Sequence, residues 1–393
     1  MSSFQRASAA RSDLLPAQPA PEAPATERFA ALGRDLDALR RRVFSKLGER
    51  DVRYVRRLNG LSRGMEVIGR VLLHFAVEPI GFSLGVLALW VHKQLQATEI
   101  GHTVLHGAYD KLPGGQAFAS KTFRWDTPID EASWRDGHNL RHHGNTNVAG
   151  KDPDVDFGPV RLTPHTRHRP WHRFQLALTL LLLFPAFGFM MNLHFSGALD
   201  SFYAENSARA GGGPAAAPSR AQRFAAYRRA LRKFARYYAK DFVLFPALAG
   251  PMFWKVLLGN LLAEVMRDVY SAATIYCGHV GDDVASYPIG TKAQTRGQWY
   301  AMQIASANNF EVSRPISILC GGLDLQIEHH LFPTLPPERL REIAPEVKAI
   351  CARHGLPYRS DSWPNTLKKA LRHVRQLTEK GGVSSALMSM GPP

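Results

Sequence analysis

Seven of the chain's 16 histidines fall into three tight groups: Gly101-His102-Thr-Val-Leu-His106, His138-Asn-Leu-Arg-His142-His143 and Gln326-Ile-Glu-His329-His330. At this histidine frequency an HxxxH or an HH pattern is expected by chance about 0.6 times each, but the HxxxHH of the middle group only about 0.03 times. If the three groups act together, segments as distant as residues 102 and 330 must fold against one another, and few architectures allow that.

The apolar runs limit the choice further. Val67 to Val91 is long enough to span a bilayer but holds Glu78 and Pro79 at its middle, so it is one tilted helix or two broken elements. A second run extends from Phe174 to Met191, and a third, Phe242 to Cys277, is interrupted by Pro246, Gly250, Pro251 and Lys255, which suits a bent hairpin. Two histidine groups lie between the first and second runs and one after the last. A mean hydropathy of −0.20 excludes a bundle made mostly of membrane helices. The chain is therefore expected to be part membrane, part aqueous.

Charge bears on topology and partners. The net charge of +16 calls for an acidic partner, nucleic acid or an anionic membrane face. No nucleic-acid recognition motif supports the first. Residues 196 to 240 carry nine basic and two acidic side chains, with Phe224, Leu231, Phe234 and Tyr238 making the end of the segment amphipathic. The positive-inside rule puts it in the cytoplasm. Each flanking apolar run must then cross an even number of times or dip and return. Between Glu27 and Arg57 ten basic residues face five acidic ones, and Leu32, Leu36, Leu39, Val43 and Leu47 recur at helical spacing. This predicts an amphipathic helix lying on the membrane surface or packed on its own domain.

The expected domains are a disordered tail (1–26), a basic amphipathic helical segment (27–60), a membrane domain (61–360), and a C-terminal helix with a flexible tail (361–393). A soluble helix over Pro337 to His354 is closed by Gly355. Cys277, Cys320 and Cys351 are too few and too scattered for a disulfide framework or a paired-cysteine zinc site, and are expected to be reduced and structural.

On a helix, His102 and His106 project from one face a turn apart, as do His138 and His142, while His143 points about 100° away. One helix can then feed two adjacent ions. Seven imidazoles leave room for an eighth, and His279, directly after the third apolar run, is the natural candidate. Eight ligands over two ions is four nitrogens each. Imidazole suits iron, copper, zinc and nickel, and a two-metal site spread over the chain favours redox chemistry over a structural zinc. Asp110, Asp136, Asp152, Asp154, Asp156, Asp282, Asp283 and Glu328 are candidate acceptors for the outward ring N–H groups. His168 and His172 form an HxxxH in a proline-broken basic loop and read as accidental, and His74, His92 and His194 read as core or interfacial residues. There is no repeat, phosphate-binding glycine loop, Rossmann fingerprint or nucleophile elbow.

The three groups, with Gln326 in place of His opening the last, resemble the His boxes of the membrane fatty acid desaturase family. The strings KTFRWDTPIDEASWRDGHNLRHHGNTNVAGKDPDVDFGPVRLTP, CGH, WYAMQIASAN and GGLDLQIEHHLFPTLP are similar to those of bacterial acyl-CoA Δ9 desaturases, and the similarity covers roughly residues 60 to 360. The resemblance implies an all-α, integral membrane protein with a cytoplasmic helical cap carrying a di-iron site, in a bacterial inner membrane. It implies two iron ions held by His102, His106, His138, His142, His143, His279, His329 and His330, with Gln326 as a weak or water-mediated ligand. Ile275 stands where some animal relatives carry Asn. The substrates implied are a fatty acyl chain, as acyl-CoA, and dioxygen. No His-Pro-Gly-Gly string of a fused cytochrome b5 is present, since Leu112 opens the one similar stretch, so electrons are expected from a separate reductase of flavin and ferredoxin type. The same box layout implies a membrane alkane or lipid hydroxylase as the alternative, and a His-rich metal-binding membrane protein without catalysis is the other.

Overall fold

The computed structural model describes residues 25–155, 157, 159–199 and 219–379. The expected N-terminal and C-terminal tails lie largely outside them. Helices dominate: α1 (Ala25–Phe44), α2 (Glu49–Phe75), α3 (Pro79–Leu95), α4 (Glu131–Trp134), α5 (Gln175–Leu178), α6 (Phe187–Phe195), α7 (Arg220–Ala239), α8 (Phe253–His279), α9 (Arg296–Ala305), α10 (Arg314–Cys320), α11 (Gln326–Leu331), α12 (Pro337–Arg353) and α13 (Trp363–Gln376). The all-α expectation needs one amendment. Two three-residue strands, β1 (Asn309–Glu311) and β2 (Ser360–Ser362), pair in parallel with Asn309 opposite Ser360 and tie α13 to the centre of the molecule.

The break expected near Glu78 is real, and the first apolar run is two helices. Pro79 opens α3 at the position where a missing N–H costs nothing, and the Glu78 carboxylate accepts from the amides of Ile80 (2.6 Å) and Gly81 (2.7 Å). The chain reverses there. Ser62 meets His92 and Gly69 meets Leu89, so α2 and α3 form an antiparallel hairpin. The contact is close: a Cβ on Gly69 would stand 2.9 Å from the Leu89 nitrogen, and one on Gly259 of α8 2.5 Å from Leu73 Cδ2.

Under this apolar packing lies a buried ionic cluster. Arg70 reaches Asp241 (2.5 Å) and Asn260 (2.7 Å), Lys93 bridges Asp241 and Glu264, and Arg267 pairs with Glu264 and Asp268. Three cations balance three carboxylates, which is the condition for burying such groups without a large desolvation cost.

The other apolar runs also turn back. The second is a pair of helical segments, Pro170–Leu183 and Phe187–Phe195, bent by 108°, and the third descends from α7, turns over at Gly250–Met252 and returns as α8. No single helix among the described residues is long and apolar enough to cross a membrane. The outer faces are nonetheless bare of cover: Val67, Val71, Phe75, Ile80, Leu84 and Leu87 of the hairpin, and Trp254, Leu258, Leu261 and Val269 of α8, are exposed.

The stripe on α1 is used inside the molecule. Leu32, Leu36, Leu39 and Val43 pack with Tyr300, Ile304, Leu340, Ile343 and Val347, and a Cβ on Gly297 would fall 1.8 Å from the Phe29 carbonyl oxygen. Of the two expectations for this helix, packing on its own domain is the one observed, because its apolar face has no surface left for lipid. α12 ends at Arg353 with Gly355 at φ +60°, as its sequence predicts. The three cysteines are free and buried.

Candidate metal centre

Two of the three histidine groups sit where a regular helix is interrupted. α3 runs on through a π-helical turn, Gln96–His102, into Thr103–Leu105, and α4 runs on through another, Arg135–His142. Such turns cost hydrogen-bond quality and mark sites where side chains are re-aimed. The second is well anchored, because Asp130 caps α4 at the Ser133 amide (2.9 Å). His279 is the last residue of α8. α11 is turned toward α3 by Gly321 and Gly322, at φ +76° and +71°, and a Cβ on Gly321 would lie 2.6 Å from Thr98 Cβ.

All eight histidines converge, in two groups. Nε2 of His102 lies 3.2 Å from that of His106 and 3.3 Å from that of His138, and His138 is 3.2 Å from His143, with the ring of His329 4.8 to 4.9 Å from those of His102, His106 and His143. In the second group Nε2 of His279 is 3.0 Å from that of His330 and 2.6 Å from the Gln326 amide nitrogen, and the His142 ring is 4.7 Å from His279. The donor atoms of His102, His106, His138 and His329 all lie within 4.8 Å of one another, as do those of His142, His279 and His330.

His143 departs from the expected direction. The widened turn bonds the His143 amide to the His138 carbonyl five residues back (3.1 Å), which brings these two rings together and leaves His142 to face the other group.

In the second group the outward nitrogens are held. His142 Nδ1 is 2.9 Å from Asp152 Oδ1, His330 Nδ1 is 2.9 Å from Gln303 Oε1 and 3.1 Å from Thr146, and His279 Nδ1 is 3.4 Å from the Ser306 carbonyl. Asp152 is itself fixed by the amide of Asn147 (2.7 Å), a residue in the left-handed region at φ 56°, which Asn tolerates better than most. Burial disfavours charge on His142, but the carboxylates of Asp152 and Asp154 outweigh it and push the ring up to about 9. Burial takes His138 down to about 4 and, with the neighbouring imidazoles, holds His143, His329 and His330 well below the ordinary range. In the rings that burial keeps neutral, Nδ1 turned outward aims the Nε2 lone pair inward, and at His142 a bound cation would displace the second proton. The Nε2 atoms of His142 and His329 are buried with no hydrogen-bond partner, as metal-directed nitrogens would be. The donor set therefore fits a pair of transition-metal ions.

Of the eight carboxylates expected nearby, Asp152 and Asp154 do approach the rings. Asp154 lies 3.5 Å from His142 and 3.9 Å from His138. Glu328, pushed up to about 7 by burial against the pull of its hydrogen-bond partners, serves Asn309 and Tyr358 instead (2.8 Å each). Asp110 binds Ser120, Asp136 pairs with Arg141 on the exposed side of the Arg135–His142 turn, and Asp282 and Asp283 face Arg372 and Lys369. Asp156 lies outside the described residues. Gln303, Thr146 and the Ser306 carbonyl escaped the sequence reading. Gln303 had a signal, as the one amide on the buried face of α9 among Tyr300, Ala301 and Ile304.

The remaining histidines are engaged elsewhere. His168 reaches the Thr378 carbonyl (2.7 Å) and His172 accepts from the Arg169 amide (3.0 Å). His74 meets the carbonyls of Arg70 and Phe245, His92 meets Ser62, and His194 packs on Phe157 and Phe195.

A narrow slot of about 70 Å³ reaches the cluster. It is lined by His102, His138, His279 and Gln326 together with Trp125, Ile129, Phe187, Met191 and Ile275. An adjoining cavity shares Phe187, Met191, Ile275 and His279 with the slot and is lined further by Phe157, Leu162 and Tyr276. Trp134 stacks on His138 at 4.4 Å and walls off the first group.

Fold and site together define a mostly helical protein with a polyhistidine cluster beside an apolar slot. A family model described as fatty acid desaturase matches residues 73–362. The chain belongs to the fatty acid desaturase family and is an oxidoreductase. It is 35% identical over 355 residues to an NADPH-dependent stearoyl-CoA 9-desaturase of Mycobacterium tuberculosis, covering 88% of this chain and 79% of that one. It is 24% identical over 377 residues to human fatty acid desaturase 3 (93% and 76% covered), and 24% identical over 282 residues to an sn-1 linoleoyl-lipid 6-desaturase of Synechocystis (70% and 74% covered).

Proposed function

We propose that this protein is an oxygen-dependent desaturase that introduces a double bond at the Δ9 position of a saturated acyl chain carried as its coenzyme A thioester, with two irons held by His102, His106, His138, His142, His143, His279, His329 and His330. The observation that carries the reading is the shared wall: donor side chains of the cluster line the same narrow slot as Ile129, Phe187, Met191 and Ile275.

An unactivated methylene has neither an acidic proton nor a leaving group, so acid–base and nucleophilic chemistry cannot act on it. Irons held by these histidines would supply the dioxygen-dependent oxidising power for removing two hydrogens. This chain's own residues do the rest. The slot excludes water and fixes which carbons pass the cluster. Asp152, Gln303 and the Ser306 carbonyl hold protons at the outward ring nitrogens, fixing tautomer and direction. Gln326 presents its amide to the second group. The exposed apolar faces of the α2–α3 hairpin and α8 support insertion in a membrane, and the mycobacterial relative's name supports the thioester substrate and NADPH as the source of electrons.

The test is turnover of deuterated stearoyl-CoA by the iron-loaded protein with a ferredoxin-type reductase in lipid discs. The expected product has lost two hydrogens between C9 and C10. A product heavier by one oxygen overturns the reading in favour of hydroxylation, and a preparation carrying zinc and no iron overturns it in favour of metal binding alone.

A further inference from the structure

Membership of the family leaves the acyl carrier open, since one relative is named for a coenzyme A ester and another for a lipid. A second cavity bears on it. Between α7 and the segment leading into α4 lies a cup of about 340 Å³, the size of a small-molecule site, lined by Arg124, Arg229, Arg232, Lys233, Arg236 and Lys240.

Its acids are already engaged. Asp126 accepts from Lys240 (2.8 Å) and Arg63 (3.0 Å), Glu131 from Lys233 (2.7 Å) and the Trp125 amide (2.8 Å), and Asp130 caps α4. Arg229 is spent on the Ser196 carbonyl (3.0 Å). Arg124, Arg232 and Arg236 remain, exposed and without an ion-pair partner among the described residues. Arg232 and Arg236 stand one turn apart on one face of α7. Planar guanidiniums gathered in a concave site are suited to several phosphates at once.

The cup also adjoins the acyl slot. Trp125 and Thr127 line both, and Trp125 is pinned by its Nε1 donating to the Gln96 carbonyl (2.8 Å). α7 presents two distinct faces: Phe224, Tyr227 and Leu231 form an exposed apolar stripe at helical spacing, while Arg229, Arg232 and Arg236 line the cup.

We propose that Arg124, Arg232 and Arg236 bind the phosphates of coenzyme A, and that the acyl chain enters the slot across Trp125 and Thr127. The proposal deepens the desaturase reading and rests on it for the acyl half. A phospholipid head brings fewer phosphates and no long flexible arm to reach from cup to slot, so the recessed arginine group favours the thioester.

The test uses the full-length, iron-loaded protein in discs of neutral phosphatidylcholine. Stearoyl-CoA is the substrate and free coenzyme A the competitor. The double variant Arg232→Glu/Arg236→Glu is expected to raise KM for stearoyl-CoA at least ten-fold and to weaken inhibition by coenzyme A by a similar factor. Arg228→Glu, an exposed position on α7 outside the cup, stays within two-fold. If the double reversal does not fold, Arg232→Gln/Arg236→Gln is expected to give a smaller rise in the same direction. An unchanged KM in a folded variant overturns the proposal. So does a KM effect seen only when phosphatidylglycerol is added to the discs, which assigns the arginines to the lipid surface. Failure of the desaturase reading is distinguishable: the wild type then yields no unsaturated product, while calorimetric binding of coenzyme A, lost in the variant, still reads the cup.

Discussion

His138 and His143 bring their Nε2 atoms to 3.2 Å because the His143 amide bonds to the His138 carbonyl, five residues back instead of four. One widened turn decides how the middle group is shared. It pairs the first and last of its three rings and releases His142 toward His279 and His330. The same device recurs at Gln96–His102, so two of the three groups depend on a local departure from α-helical bonding.

His142→Ala is expected to lower iron from two per chain to one or fewer and desaturation by at least a hundred-fold. His168→Ala, whose ring serves a backbone carbonyl, is expected to leave both within two-fold. Metal analysis by mass spectrometry and fatty acid profiling of the same preparations check this.

Asp152→Asn keeps the volume at the buried pair but removes the charge that holds a proton on His142 Nδ1. Iron affinity or activity is expected to fall about 10- to 100-fold, the usual effect of losing such a partner. An equilibrium titration against a competing chelator gives the number, and an affinity equal to wild type refutes the role.

Gly278 packs under Gln326: an added Cβ would lie 2.8 Å from Cγ and 2.9 Å from Cδ. Gly278→Ala is expected to cost about 1–3 kcal/mol from overpacking. It should also displace the amide from His279, lowering iron retention on gel filtration. A melting curve and an iron assay that both match wild type would contradict this.

Leu162 lines the cavity adjoining the slot, with Phe157 and Tyr276, and is not on the wall that carries His102 and His138. Leu162→Trp is expected to shift the preference toward shorter acyl chains, raising the ratio of C16 to C18 turnover at least ten-fold. Competition between the two thioesters in one reaction measures it.

Removing iron from the folded protein with a chelator is expected to lower the melting temperature, because only the native state brings the eight rings together and ligands that bind it alone stabilise it. A calorimetric scan before and after chelation reads the shift.

The ligand-type side chains were legible because clustered imidazoles are rare by chance and their identity survives any folding. The apolar runs were legible as candidates for turning back, since Glu78, Pro79, Gly250 and Pro251 interrupt them at their middles. What the sequence could not carry is anything set by packing at a distance. The stripe of α1 looks the same whether its partner is lipid or α9, and only the close contact of Phe29 with Gly297 tells them apart. The aim of His143 follows from a π-helical turn that no residue pattern announces. Gln303 and Ser306 reach the rings from α9 and its end, more than a hundred residues after the middle group, so nothing local links them to it.

The reach of the cluster from His102 to His330 bears on how the protein matures. No nascent chain can present all eight rings until residue 330 has cleared the ribosome, by which time the hairpins have left it. Any ion that needs all eight rings must therefore be delivered to an almost finished polypeptide, and without it the chain can still assemble, its rings gathered around an empty centre.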